Sequence, residues 1–284
     1  MSRLSLFVFD MDNTLYDWYA AFLPAFYEMV GVASKSLGCD SEELLNQLQE
    51  VHIRYRDVEH PFSLAETRIV QSYIAAHGYD EALSLIDPAF HAFNRLRKQN
   101  LKLFPDTLET LKELRSHNIE LVAYTDSTYF AALGRLERLG LSAFFARVYC
   151  RERGQSHLRK STNSPESRNS DKVVEIPSHQ SKPNPRVLVD IVNSQHQNME
   201  NVAYVGDSLS RDVLMAKRAH CYAIWAKYGV HTDAQMYERL IRISHWTAED
   251  ILNEKNYARE AKKYSPDFTC ESSIAEIRSL LRSN

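Results

Sequence analysis

Two aspartates separated by one residue, Asp10 and Asp12, stand with Asn13 and Thr14 directly after an apolar run. Far along the chain Thr125 and Asp126 follow a second apolar run. Asp207 follows a third, with Asp212 about one helical turn further on. Lys182 lies between these groups, in Lys-Pro-Asn-Pro. Carboxylates gathered in one place repel each other and lose hydration, so a cation is expected among them. A set of oxygen donors suits magnesium, which keeps several waters and binds through one or two carboxylates plus a phosphate. Beside such a cation and a lysine, an ionised aspartate can attack phosphorus. A second acid two residues on can protonate the leaving oxygen and later take a proton from water. Lys182 and the Thr125 hydroxyl would neutralise and orient the phosphoryl oxygens.

These groups act together only if the fold carries them to one edge. Four short apolar runs, Leu4–Phe9, Glu120–Tyr124, Asn201–Val205 and Tyr222–Trp225, have the composition of buried parallel strands. Helical patterns lie between them. Asp106–Asn118 carries Leu108, Leu111 and Leu114 on one face, and Tyr129–Leu139 carries Leu133, Leu136 and Leu139. Pro185–Val192 and Asp212–Ala219 supply two more. Strand alternating with helix predicts an α/β fold, a doubly wound Rossmann-like parallel sheet. Ligands of such sheets bind beyond the carboxyl ends of the strands, where Asp10, Asp12, Thr125 and Asp207 fall.

Residues 16–100 interrupt the alternation with helical patterns alone: Ala20–Leu37, Ser41–Val58, Ser63–His77 and Pro88–Gln99. This predicts a helical cap over a core formed by residues 1–15 and 101–284. Within it His52, Arg54, Tyr55, Arg56 and Arg68 form a basic and aromatic group that either meets an anionic substrate or lines a solvated face. Trp18 follows the first motif and is expected to pack. Residues 151–172 hold a single apolar residue, Leu158, and read as a loop. Val173–Ile176 would then pair with Arg147–Cys150 as a hairpin, so 151–181 is predicted to be a loop or hairpin insertion. Residues 231–264 look helical and should extend the core, with Phe268 and the Ile274–Leu281 helix closing it.

The 284 residues are 44% hydrophobic and 25% charged, with a net charge of −3, which is ordinary globular composition. That balance gives no reason to expect a nucleic acid polymer or an anionic membrane as partner. The run Leu4–Phe9 is too short for a signal sequence, and nothing approaches the roughly 20 apolar residues of a membrane span. Four cysteines without a CxxC pair fit reduced thiols. A cytoplasmic protein is expected.

The motifs together resemble the haloacid dehalogenase superfamily, in its phosphatase branch with a helical cap of the C1 type after the first motif. Phe9-Asp10-Met11-Asp12-Asn13-Thr14-Leu15 matches the family pattern DxDxT, and Gly206-Asp207-Ser208-Leu209-Ser210-Arg211-Asp212 matches GDxxxxD. Thr125 and Lys182 stand in order between them. The resemblance implies that Asp10 is the nucleophile forming an aspartyl-phosphate and that Asp12 is the general acid and base. It implies that Thr125 and Lys182 bind the phosphoryl group of a small phosphorylated substrate. Magnesium would be held by Asp10, the Asp12 backbone carbonyl and Asp207, with Asp212 positioning a metal-bound water or Lys182. Two features depart from the pattern. The long 151–181 stretch makes Lys172 a rival to Lys182, and Asp126 stands where Asn or Gly is commoner. Asp126 is expected to point away or to contact cap or substrate. A dehalogenase proper has no need of Asp12 or magnesium. A phosphonatase needs a cap lysine, and 16–100 offers only Lys35 and Lys98. A phosphomutase of the β-phosphoglucomutase kind shares every core motif, and a non-catalytic binding protein could keep the fold.

Overall fold

The computed structural model describes residues 4–60, 62–153, 170–231 and 233–281. The chain opens with β1 (Leu6–Phe9) and then runs through four helices, α1 (Trp18–Leu37), α2 (Ser41–Tyr55), α3 (Arg68–His77) and α4 (Tyr79–Asn100). It continues through α5 (Thr107–Ser116), β2 (Glu120–Thr128), α6 (Tyr129–Arg138), β3 (Arg147–Arg151) and β4 (Val173–Ile176). After α7 (Pro185–Ser194) come β5 (Val202–Gly206), α8 (Leu214–Arg218) and β6 (Tyr222–Ala226). The last elements are α9 (Ala234–Ile243), α10 (Ala248–Ala261) and β7 (Phe268–Cys270), before a 3-10 helix over Ile274–Leu281.

The strands form one seven-stranded sheet in the order β4-β3-β2-β1-β5-β6-β7, and every pairing is parallel. This is the doubly wound α/β architecture. Its order reverses between β1 and β5, so a crevice opens where those two strands end. β1 is fully buried on both faces, as a central parallel strand must be. Because side chains alternate along a strand, Phe7 and Phe9 join Leu111, Leu114, Leu133 and Leu136 on one face. Leu6 and Val8 join Val187, Leu188 and Ile191 on the other.

The predicted pairing of Val173–Ile176 with Arg147–Cys150 is real, but its direction corrects the hairpin. Val148 stands beside Val173 and Arg151 beside Ile176, a parallel register. Parallel neighbours need a crossover rather than a tight turn. The expected loop falls mostly on 154–169, outside the described residues.

Helices α1–α4 form a layer with its own apolar cluster, including Phe22, Phe26, Leu44, Leu48 and Ile86. Helix α4 begins nine residues before Pro88, the predicted start. Ala82, Ile86 and Ala89 are buried at helical spacing, and their stripe carries the helix through the proline. The stretch predicted to extend the core divides in two. Leu240 and Ile243 of α9 belong to the cluster of the helical layer. In contrast, α10 ties to the core, with Glu254 on Arg211 (3.2 Å) and Glu260 on Arg218 (2.6 Å).

Candidate active site

The β1 strand delivers Asp10 into the crevice while still in register, its N–H donating to Val205 O of β5 at 2.8 Å. The chain then turns back on itself. Asn13 takes a left-handed conformation (φ 60°), which asparagine tolerates better than most residues. The Asn13 Oδ1 accepts from Trp18 N–H at 3.1 Å, and Asp17 caps α1 by accepting from Ala20 N–H at 2.8 Å. The turn Lys227–Gly229 presses on this loop so closely that a Cβ on Gly229 would lie 1.7 Å from Asn13 O.

Asp10 is buried. Thr14 Oγ1 donates to its Oδ2 at 3.0 Å, and the Lys182 ammonium pairs with its Oδ1. Lys182 comes from the turn before α7, whose start Asn184 caps by accepting from Arg186 N–H at 3.1 Å. Although 94% buried, Lys182 also lies 2.9 Å from Asp212 Oδ1. Burial disfavours its charge, but Asp10 and Asp212 outweigh that and hold its pKa well above the usual lysine value. Both oxygens of Asp212 are engaged. Tyr204 O–H donates to Oδ1 at 2.9 Å and Ser208 N–H donates to Oδ2 at 3.0 Å. A Cβ on Gly206 would lie 2.3 Å from Asp212 Cγ, so only glycine fits there. Lys172, the rival lysine, points elsewhere and donates to Phe145 O at 3.5 Å.

Asp10, Asp207 and Asp212 offer carboxylate oxygens that all lie within 4.8 Å of one another. Burial pushes the Asp10 carboxyl up to about 7, with Lys182 opposing and Asp212 and Asp12 adding to the rise. Burial, then the charges of Asp212 and Asp10, hold Asp207 well above the usual carboxylate range. Among the described residues no cation side chain pairs with Asp207. Crowded oxygen donors of this kind fit a hard divalent ion such as magnesium, whose charge would offset the repulsion.

Asp12 turns its carboxylate away from that group. Tyr16 O–H (2.7 Å) and Arg135 Nη1 (2.5 Å) donate to Oδ1, and Ser127 O–H (2.6 Å) donates to Oδ2. Thr125 Oγ1 stands 3.5 Å from Asp12 Oδ2 and accepts from Ser127 N–H at 3.1 Å. Arg135 lies on α6 and is buried, and its other nitrogen pairs with Glu59 from the turn after α2. Burial disfavours the guanidinium charge, but Asp12 and Glu59 prevail and raise its pKa further. Thus the two motif acids occupy different surroundings: Asp10 with a lysine and acids, Asp12 with hydroxyls and an arginine.

Sequence reasoning missed Arg135, Ser127, Tyr16 and Glu59. Ser127 had a signal in its position two residues after Thr125. Arg135 had one in sitting among Leu133 and Leu136 on a helix that buries that side. Asp126 lines the same cavity as Asp10, with its carboxylate on neighbouring core groups. It accepts from Lys182 N–H at 3.3 Å and pairs with Arg211 at 3.4 Å, bracing the lysine turn. Of the basic and aromatic group on α2 and α3, Arg56 lines the cavity above Asp10. His52 is buried against α9, with Nδ1 2.6 Å from Ile243 O. Tyr55 stacks on His60 at 3.7 Å, while Arg54 and Arg68 pair with Glu66 and Glu50. Trp18 stacks on Phe22 with ring centroids 4.9 Å apart, a packing role as expected.

The model of the haloacid dehalogenase-like hydrolase family matches residues 4–220. Among curated proteins, a glyceraldehyde 3-phosphate phosphatase from Methanopyrus kandleri is 28% identical over 233 residues, covering 80% of this chain and 86% of its own. A phosphoglycolate phosphatase from Agrobacterium fabrum is 24% identical over 239 residues, covering 82% and 84%. Among solved structures, a 2-haloacid dehalogenase from Pseudomonas syringae superposes with a TM-score of 0.53 at 21% identity over 99% of both chains. A phosphatase of the same superfamily from Thermococcus onnurineus gives 0.53 at 16% identity over 98% of both. These two structures speak for the fold.

Proposed function

The chain belongs to the haloacid dehalogenase-like hydrolases and is a phosphoric monoester hydrolase, and we propose that it hydrolyses a small phosphorylated metabolite of the cytoplasm, with magnesium, through a phosphoenzyme on Asp10. The observation that carries this reading is the divergence of the two motif acids. Asp10 faces Lys182 and the carboxylate group, whereas Asp12 faces hydroxyls and Arg135. Two carboxyls two residues apart in such different environments suit a nucleophile and an acid–base.

Asp10 and Asp207, with the Asp12 backbone carbonyl, would hold magnesium, which when bound supplies the positive charge that keeps Asp10 ionised and neutralises phosphoryl oxygens. Asp10 attacks phosphorus as the ester oxygen departs. Asp12 gives that oxygen its proton, then takes one from the water that attacks the phosphoenzyme. Lys182 and Thr125 receive the equatorial oxygens. Asp212 holds Lys182 in place through its carboxylate, which Tyr204 and Ser208 steady in turn.

Hydrolysis of p-nitrophenyl phosphate tests the reading. Turnover is expected with Mg²⁺, lost with EDTA, and lost in Asp10→Asn. Undiminished turnover in Asp10→Asn would sink the mechanism. Release of free phosphate, rather than transfer to a sugar hydroxyl, distinguishes hydrolysis from mutase chemistry.

A further inference from the structure

The cavity over Asp10 has a volume of about 880 Å³, inside the roughly 300–1,000 Å³ of sites that enclose a drug-sized ligand. That is far more room than one phosphate needs. Part of its wall comes from the turn at Arg56–Glu59 and part from α9 and α10. The family model ends at residue 220, and α9 and α10 follow it in the chain.

The charges around this cavity are already committed. Arg56 pairs with Asp250 (3.0 Å), Arg151 with Asp57 (3.3 Å), Arg218 with Glu260 (2.6 Å), and Arg211 with both Asp126 and Glu254. Lys182 pairs with Asp10 and Asp212. Among the described residues nine carboxylates line the cavity against five arginines and lysines, and a bound divalent ion would not reverse that balance. Among the described residues no unpaired arginine or lysine lines this cavity, so a second anionic group on the substrate would have to shed its hydration in acidic surroundings.

The wall that α9 and α10 supply has a different chemistry. Trp246 and Tyr257 bring aromatic rings to it, each about 6 Å from an arginine carbon: Arg211 over Trp246 at 5.7 Å, Arg218 over Tyr257 at 5.8 Å. His245 lies beside them. Its Nδ1 is buried and has no hydrogen-bond partner among the described residues. Burial, with the charge of Arg151 next, pushes its imidazole down to about 4, so it is neutral at pH 7 and able to donate or accept. A buried polar atom is seldom left unpaired, and the residue that carries this one is part of the cavity wall.

We propose that this site takes phosphate monoesters of uncharged, ring-bearing alcohols, with the ring against Trp246 and Tyr257 and a polar atom of the alcohol bonded to His245. The proposal rests on the phosphatase reading above and adds the leaving group to it. Nucleoside monophosphates and cyclic sugar phosphates share this chemistry.

The experiment compares kcat/KM with Mg²⁺ for thymidine 5′-monophosphate, adenosine 5′-monophosphate, glucose 6-phosphate, 2-phosphoglycolate and acetyl phosphate. At least one ring-bearing neutral ester is expected to exceed 2-phosphoglycolate by about ten-fold or more, which corresponds to about 1.4 kcal/mol. In Trp246→Ala and in His245→Ala, the preference for that ester over acetyl phosphate is expected to fall several-fold, chiefly through KM. Should Trp246→Ala not fold, Trp246→Leu gives the same comparison. A preference for 2-phosphoglycolate, or an unchanged ratio in both variants, overturns the proposal while leaving the phosphatase reading intact. Hydrolysis of none of the five, nor of p-nitrophenyl phosphate, overturns both.

Discussion

Arg135 places one guanidinium between Asp12, of the catalytic loop, and Glu59, of the turn after α2. It touches an acid expected to transfer protons, so its loss should act on chemistry as well as on packing. Arg135→Ala is expected to cut kcat by about 10–100-fold, a part of the roughly 10²–10⁴ that a positioned acid–base contributes. Arg135→Lys should recover some of that, because it keeps the charge while losing the fork. Steady-state kinetics beside a thermal melt separates this from unfolding: an Arg135→Ala protein that melts normally and turns over normally removes the role. Asp10 supports a prediction about stability. Its carboxyl is raised from 3.8 to about 7 in the folded metal-free chain, so between those pH values the folded state holds the proton more firmly. The group's contribution is present below pH 3.8 and is lost as pH rises towards 7. Without metal, Asp10→Asn should therefore gain stability over the natural chain as pH rises across that window, and Mg²⁺ should shrink the gap. Melting curves at pH 5 and pH 7 with EDTA read this directly, and a gap that is flat with pH would refute it. The positions of Asp10, Asp12, Asp207 and Lys182 were legible because each follows a strand or opens a helix at fixed spacing. Arg135 was not, since an arginine on a leucine-rich helix becomes a partner of Asp12 only through tertiary packing.

The connection from β5 into α8 packs several local requirements into a few residues. Ser208 accepts from Arg211 N–H at 3.2 Å to open a π-helical turn over Leu209–Val213, and that turn folds Asp212 back over Gly206. A methyl on Gly206 would collide with the Asp212 carboxylate that steadies Lys182. Overpacking of this kind costs about 1–3 kcal/mol, so Gly206→Ala is expected to lower the melting temperature by several degrees and to depress kcat more than its stability loss explains. A variant with normal kcat would show that Asp212 can move without consequence for Lys182. The predicted helix over Asp212–Ala219 put Asp212 at its first turn, whereas the π-helical turn draws it inward, which hydrophobic spacing alone does not encode. The hairpin failed for a similar reason. Val173–Ile176 reads as an edge strand whichever way it runs, and direction depends on a connection that sequence pattern leaves open. In α4, by contrast, the stripe Ala82, Ile86 and Ala89 held the information, and the weight given to Pro88 as a helix start concealed it.

At the scale of the whole molecule, α9 and α10 fasten the helical layer to the sheet that carries the site. Leu240 and Ile243 of α9 are buried with the cluster of α1–α4, His52 Nδ1 lies 2.6 Å from Ile243 O, and Tyr27 O–H donates to Arg239 O at 3.0 Å. Five residues after Ile243 α10 begins, and its Glu254 and Glu260 hold Arg211 and Arg218 of the core. This tie joins the layer to the core beside its two chain connections and the pairs Arg135–Glu59 and Arg151–Asp57, and it also forms part of the cavity wall. Ile243→Ala removes buried methylenes at the tie, a loss of about 2–5 kcal/mol for such a truncation. Because β1 and β5 pack in clusters other than the one that holds Ile243, the loss should appear first in local opening of the layer rather than in the sheet. Hydrogen exchange is expected to quicken in α2 and α9 while the amides of β1 keep their protection, and KM for a ring-bearing ester should rise as the wall loosens. Equal quickening in α2 and β1 would mean that layer and sheet open as one unit. Unchanged exchange in α2 would mean that the layer stands without α9.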